Sequence, residues 1–338
     1  MKKALALIIT MCISISATAC GNATASSKTS SSTTDNSTSK WPSASVQYIV
    51  PAKSGGGTDL VSRVYTTWLN EKTGKGMVVT NQSDGGGAIA ASTVANAKPD
   101  GNTLMFAHTG SLISAATGTI SNDMVEDYTT IAYIPSVTNY CLVVNGKSDI
   151  KSIEDLVAAA KAEPGKVTLG VALGASTHMM AASIAKDADV TFNYVEAGSD
   201  TEKISALAGG HIMATLVNPN NAKQFEDSGD VRVIAVLGSS DERCETFPDV
   251  PALKELGYDS CTFSVDFVVW GPKNMNPNDV QKIHDFFAEA TEDTAVLEQC
   301  NNMNFPIQPC LGLEEGHAKL AEVNDQYTAI LTELGLAK

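Results

Sequence analysis

The stretch YIVPAKSGGGTDLVSRV, from Tyr48 to Val64, decides the fold. Tyr48-Ile49-Val50 reads as a strand, Pro51 closes it, and Gly55, Gly56 and Gly57 follow in a row. The spacing then turns helical, with Leu60, Val61, Val64, Trp68 and Leu69 on one face of a helix over 58–72. Strand, glycine loop and helix start form a layout that receives an anion. Glycine lets a backbone come close to a ligand. The free N–H groups of a helix N-terminus carry partial positive charge. Thr58 or Asp59 is placed to cap the helix. A phosphate loop is excluded, because G-x-x-x-x-G-K-[ST] is absent and Asp59 would repel phosphate. Three glycines exceed what a turn needs, which makes this loop the leading candidate for a ligand contact.

The same grammar recurs along the chain. Strands are expected at 46–50, 77–80, 103–107, 140–144, 166–171, 190–195, 212–217, 231–237 and 265–270. Helices are expected at 58–72, 152–162, 200–208, 277–290 and 313–334, with capping-box spacing at Ser152/Asp155 and Ser199/Glu202. Such alternation predicts an α/β fold with largely parallel sheets. The segments YCLVVNGKSD (140–149) and VDFVVWGPKN (265–274) read as strands that cross between two lobes. One domain then combines residues 41–141 with 267–338, and residues 142–266 form the other, with a ligand between them at strand C-terminal ends.

Further helix starts carry glycine and hydroxyl residues. NQSDGGGAIAAS (81–92) is a second glycine loop that could face the cleft; no acidic residue follows at the distance a dinucleotide site needs. AHTGSLISA (107–115) supplies Thr109, Gly110 and Ser111. GVALGASTHMMAASIA (170–185) supplies Ser176 and Thr177, and VEAGSDTEKISALAGG (195–210) supplies Ser199 after Gly198. Singly these are ordinary caps; together they could grip a carboxylate from two sides with neutral donors.

The N-terminus reads as processing rather than fold. Met1-Lys2-Lys3, the apolar or small run 4–19 and the Ala17-Thr18-Ala19-Cys20-Gly21 junction form a secretory signal over residues 1–19. Cys20 is placed for lipidation, and residues 20–40, poor in apolar side chains, form a flexible tether to a membrane. The globular part starts near Trp41. The formal net charge is −15, and loss of Lys2 and Lys3 takes it to −17. This argues against nucleic acid as a partner, which wants basic patches. Five cysteines follow Cys20, at 141, 244, 261, 300 and 310, without C-x-x-C; Cys300 and Cys310 could close a short loop. The five histidines show no metal-ligand spacing, and His178 reads as a packed or cap-supporting residue. Ser183-x-x-Lys186 and Lys72-Thr73-Gly74 occur in the wrong order for penicillin-interacting enzymes, and G-x-S-x-G is absent. No metal, no cofactor and no catalytic residue is expected.

WPSASVQYIVPAKSGGGTDLVSRV, VVTNQSDGGGAIAASTVANAKPDGNTLMFA, KSIEDLVAAAKAEPGKVTLG, ALAGGHIMA, RVIAV, FPDVPALKELGY and WGPKNMNPNDV, in this order, resemble the solute-binding proteins of tripartite tricarboxylate transporters, the Bug or TctC family. The resemblance covers nearly the whole mature chain. It implies a two-lobed, periplasmic-binding-protein-like Venus flytrap with crossing hinge strands, serving membrane subunits of a secondary transporter without an ATPase. It implies that ligand carboxylates meet the amides of Gly55, Gly56 and Gly57, with Thr58 and Asp59 beside them, and that Ser176, Thr177 and Ser199 answer from the far lobe. The chain departs from the family pattern. Glu196-Ala197 replaces Tyr-Lys, Ala175 stands for Thr, Met213 for Asp, and Lys53 enters the first loop, where it could restore the positive charge lost at position 197. The expectation is a monomeric, lipid-anchored, extracytoplasmic receptor for a small carboxylate. A receptor for an ABC importer or sensor, a secreted hydrolase or transferase, and a scaffold with an empty cleft are the alternatives.

Overall fold

The computed structural model describes residues 39–238, 243–261, 263 and 265–338. The expected signal over 1–19, the Cys20 lipid site and the tether up to residue 38 lie outside the described residues. The elements follow in chain order as β1 (Val46–Val50), α1 (Gly57–Thr73), β2 (Met77–Asn81), α2 (Ala88–Ala95), β3 (Thr103–His108), α3 (Gly110–Ala116), β4 (Tyr128–Ile134) and β5 (Asn139–Asn145). Next come α4 (Ile153–Ala162), β6 (Thr168–Val171), α5 (Ser176–Ala188), β7 (Asn193–Glu196), α6 (Asp200–Ala208), β8 (Ala214–Val217), α7 (Pro219–Asp227) and β9 (Val231–Gly238). The chain closes with β10 (Phe267–Pro272), α8 (Pro277–Glu292), α9 (Thr294–Asn302) and α10 (Leu313–Glu333).

Two five-stranded sheets result, in the orders β2-β1-β3-β10-β4 and β7-β6-β8-β5-β9, and each anchors one lobe. The two orders are one pattern used twice. Three parallel strands, β2-β1-β3 or β7-β6-β8, meet an antiparallel strand that has just arrived from the other lobe, β10 or β5. A final antiparallel neighbour, β4 or β9, completes each sheet. The sheets are therefore mixed, not largely parallel. In each triplet the order reverses beside the first strand, and ligands sit at the C-terminal ends of strands at such a switch point. The loops after β1 and β3 occupy that place in the first lobe, and the loops after β6 and β8 occupy it in the second.

The expectation differs from the structure most at β4. Tyr-Thr-Thr-Ile-Ala-Tyr-Ile is rich in β-formers, yet β5 follows it with no helix between, so the alternating rule gives it no place. Sheet strands are buried on both faces. Tyr48, Val50, Leu104, Phe106, Phe267 and Val269 face α1 and α8, while Ile49, Met105, Ala107, Val268 and Trp270 belong to the core of the opposite face. Leu60, expected on the buried face of α1, is 39 % exposed, and Tyr65 is buried instead.

The lobes are joined by two crossings beside a third segment. Asp266 accepts from the Tyr133 hydroxyl at 2.5 Å and from the Ser136 N–H at 2.9 Å, and Ser136 Oγ donates to the Val265 carbonyl at 2.6 Å. Val137 N–H donates to the Pro306 carbonyl. Phe263 stacks on Tyr327 of α10 at 5.4 Å and meets Tyr140 edge-on. Desolvation by burial, reinforced by Asp266, pushes the Tyr133 phenol far above its usual range, so it stays a donor.

Candidate functional site

The three glycines of the first loop have three different reasons. Gly55 takes φ +81°, a left-handed conformation that disfavours any side chain. Gly56 is the extended N-cap of α1 and offers no capping side chain. A Cβ on Gly57 would lie 2.3 Å from the Phe305 ring, so this glycine makes room for an aromatic of its own chain.

The loop consumes two of its own donors. Gly55 N–H donates to Asp59 Oδ2 at 2.8 Å, and Gly56 N–H donates to the Lys53 carbonyl at 3.0 Å. The Gly55 and Gly56 amides, expected to face a ligand, are thus engaged within the loop itself. The N–H groups of Gly57, Thr58 and Asp59 have no acceptor among the described residues, as the first turn of a helix leaves them. The amides left open are thus those of the first three residues of α1.

Asp59 neither caps α1 nor opposes an anion. Only 1 % exposed, its carboxylate turns back to accept from Gly55, from Arg63 Nε at 3.0 Å and from Asn81 Nδ2 at 2.9 Å, and it pairs with Arg63 at 2.9 Å. Burial by itself would raise its pKa; the hydrogen bonds from Arg63, Gly55 and Asn81 outweigh burial and hold it below the usual carboxylate range. The adjacent Thr58 is a buried residue whose hydroxyl has no partner among the described residues. Asn81 also donates to the Ala52 carbonyl, pinning the loop to the end of β2.

The second glycine loop, at 84–87, backs the first. Gly85, Gly86 and Gly87 all take positive φ, and a Cβ on Gly87 would press Pro51. The β3–α3 turn reaches the other lobe. Thr109 is fully buried and its N–H donates to the Asp266 carbonyl, tying this turn to the hinge. Gly110 N–H donates to His108 Nδ1 at 2.9 Å. Ser111 is buried, with no partner for its hydroxyl among the described residues.

In the far lobe, the turn after β6 is held by its own helix. Ala172 N–H donates to Thr177 Oγ1 at 2.9 Å, and Gly174 N–H donates to His178 Nδ1 at 3.2 Å. His178 supports the cap, as its sequence context suggested, and stands edge-on to Tyr194 at 4.7 Å. Leu173 N–H is taken by Glu196 at 2.9 Å. Ser176 is only 7 % exposed; its hydroxyl, its N–H and the Thr177 N–H have no partner among the described residues. Ser199 is a different case. Its oxygen accepts Glu202 N–H at 3.2 Å while its own N–H donates to Glu202 Oε2 at 2.9 Å, a closed capping box that leaves only the hydroxyl proton to offer.

The loops meet across a seam. Thr117 Oγ1 donates to the Gly174 carbonyl at 2.9 Å, and a Cβ on Gly110 would lie 2.7 Å from Ser176 Oγ. Asn304 reaches Asn220 and Thr246 of the second lobe. Lys53, expected to meet a ligand, pairs with Glu202 at 3.4 Å, the two side chains being 70 % and 52 % exposed. Thr117 and Asn304 had no motif to mark them, and His108, though inside the AHTGSLISA stretch, was not singled out there. Two surface hollows of about 210 and 240 Å³ sit away from the seam, lined by Lys161 and Asp189 or by Glu226 and Arg232. Among the described residues, no group of His, Cys, Asp or Glu could hold a metal ion, and no helix is long and apolar enough to cross a membrane. The five cysteines among the described residues are unpaired, and four are buried.

A family model described as tripartite tricarboxylate transporter family receptor matches residues 61–336. A UPF0065 protein of Cupriavidus necator is 31 % identical over 303 residues, covering 88 % of this chain and 90 % of its own length. Protein BugT of Bordetella pertussis is 29 % identical over 262 residues, covering 76 % and 79 %. An R. palustris protein solved with adipate superposes with a TM-score of 0.77 at 24 % identity, covering 88 % of this chain and 99 % of that one, a likeness of fold.

Proposed function

The chain belongs to the tripartite tricarboxylate transporter receptor family, and from that premise we propose that it is an extracytoplasmic receptor which captures a small carboxylate between its lobes and delivers it to membrane subunits of a secondary transporter. The observation that carries this reading is the pair of open helix starts. The N–H groups of Gly57, Thr58 and Asp59 on α1, and of Ser176 and Thr177 on α5, lack acceptors among the described residues. Thr58, Ser111 and Ser176 beside them are more than nine-tenths buried as residues, and their hydroxyls have no partners among the described residues. Uncharged donors fixed at helix starts suit an acceptor-only anion and still let it leave. The family model, described as a transporter receptor, favours capture over turnover. Closure follows when a ligand touches both lobes, because it then stabilises the closed state differentially.

In this reading Gly57, Thr58, Asp59, Ser111, Ser176 and Thr177 touch the ligand, with Thr109 and Ser199 positioning the turns that do so, and Gly55 and Gly56 shaping the first loop. Residues 41–141 with 267–338, and 142–266, are the two lobes. Cys20 carries the lipid, residues 20–40 the tether, and the receptor works as a monomer. The high negative charge slows capture at low salt without opposing the bound acid, since charge is screened beyond about 8–10 Å at physiological ionic strength.

Thermal unfolding against C4 to C6 dicarboxylates, followed by calorimetry, tests the receptor role. At least one acid is expected to raise Tm, as ligand at 100 times Kd stabilises by about 2.7 kcal/mol. A panel without effect, beside a neutral isostere that binds, would overturn it. Cys20→Ser is expected to move the protein from the membrane fraction to the soluble one.

A further inference from the structure

His108 ends β3, and its ring is oriented by the turn that follows. Gly110 N–H donates to Nδ1 at 2.9 Å. A nitrogen that accepts a hydrogen bond holds no proton, so the neutral ring carries its proton on Nε2. Burial pushes the imidazole pKa down to about 4, which keeps the ring neutral near pH 7. The ring lies on the seam. A Cβ on Gly110 would be 2.3 Å from His108 Cε1 and 2.7 Å from Ser176 Oγ, so the imidazole edge and the far-lobe hydroxyl converge on one spot. Nε2 is bonded to Cε1 and has no partner among the described residues; the Ser176 hydroxyl, 7 % exposed, has none either.

We propose that His108 is a ligand-contacting, specificity-determining residue whose Nε2–H, together with the Ser176 hydroxyl of the other lobe, donates to one carboxylate of the bound acid. The inference rests on the carboxylate-receptor reading above. It also gives Gly110 a purpose, because any side chain there would part the two donors. Two donors facing one group favour a carboxylate, which only accepts, over a primary amide, whose NH2 would confront them.

Asparagine and glutamine separate this role from a purely structural one. His108→Asn keeps an acceptor for Gly110 N–H two residues on but loses the distal donor. His108→Gln places an amide N–H near the position of Nε2–H. The full chain, its variants and 15N-histidine-labelled wild type are titrated with C4 to C6 dicarboxylates and their monoamides. His108→Asn is expected to bind on the order of 10- to 100-fold more weakly, the loss of a hydrogen bond to a charged group, with Tm unchanged. His108→Gln is expected to recover most of the affinity. The wild-type Nε2–H resonance is expected to shift on saturation while Nδ1 stays unprotonated. Wild-type affinity in His108→Asn, or an Nε2–H resonance that does not move at saturation, would overturn the proposal even if a variant misfolds. If the wild type binds none of these acids, the receptor reading falls and this inference with it; if it binds and only the His108 arms fail, the receptor reading stands.

Discussion

The starts of α1 and α6 differ by little in sequence and by much in chemistry. Each has an acidic residue at the third helical position, Asp59 in one and Glu202 in the other. In α6 the N-cap is Ser199, whose oxygen takes Glu202 N–H while Glu202 takes the N–H of Ser199. In α1 the N-cap is Gly56, which has nothing to offer, and Asp59 reaches past it to the N–H of Gly55. The first helix start is braced from outside its opening turn and keeps its own amides free. In the second, the cap takes the third amide, Glu202 N–H, and the N–H groups of Asp200 and Thr201 have no acceptor among the described residues. A helix start whose acidic residue reaches outside the helix keeps its first amides open to an acceptor.

The comparison is broken most severely at the bracing acid. Asp59→Ala strands Gly55 N–H, Asn81 and Arg63, and Asp59 itself is buried. Arg63 is half-exposed, which moderates the loss. A destabilisation of about 2 kcal/mol is expected, below the range for a fully buried pair, and chemical denaturation measures it. Glu202→Ala, on an exposed cap, is expected to cost a few tenths. The gap depends on pH in a defined sense. The Asp59 pKa is held below the ordinary value, so its contribution is complete above the unfolded pKa of about 3.9. It fades as the pH falls through the lower folded value. Stabilities of wild type and Asp59→Ala should therefore converge below about pH 4; a constant gap would mean that Asp59 acts by packing alone.

Gly57 comes next. A methyl group there meets the Phe305 ring, and overpacking of this kind costs about 1–2 kcal/mol. Gly57→Ala should lower Tm, and Phe305→Leu in the same chain should restore part of it. If Gly57→Ala leaves Tm unchanged, the glycine serves ligand approach instead.

The opening of α1 is sharpened by giving it the cap of α6. Gly56 already has φ −73° and ψ 159°, open to any residue. Gly56→Ser installs an oxygen that competes for Thr58 or Asp59 N–H. Because a Cβ would sit 3.0 Å from the Lys53 carbonyl, the turn must give slightly. Stability is expected to change by a few tenths of a kcal/mol, while acid affinity falls about tenfold, roughly 1.4 kcal/mol. Unchanged affinity would show that these amides do not meet the ligand.

The sequence made visible what is local. Strand ends, glycines at positive φ and cap spacings such as Ser152/Asp155 all lie within a few residues, and the structure keeps them. It hid what depends on distant partners. Gly57 looks like room for a ligand until Phe305 is seen against it. Asp59 looks like a cap until Arg63 and Asn81 turn it inward. β4 was hidden because the chain leaves the lobe just after it, so no helix marks its end. Of the site, the helix starts were legible; the converging edges of His108, Gly110 and Ser176 required the seam.

The smallest effect tests a place where the two compared helix starts touch. Lys53 leaves the α1 loop and meets Glu202 of the α6 cap. Both side chains are largely exposed, so the pair contributes little to stability. It links the two lobes, so its effect is sought in ligand binding more than in the fold. If it is a closure contact, Lys53→Ala and Glu202→Ala should each weaken acid binding by the same small factor, about twofold. The double variant should then be no worse than either single one, since one interaction is removed once. High salt should erase the difference. If Lys53 instead meets a ligand carboxylate directly, Lys53→Ala should weaken binding much more than Glu202→Ala, and removing Glu202 should free the ammonium and tighten it. The sign of the Glu202→Ala effect, read by calorimetry at low salt, decides between the two.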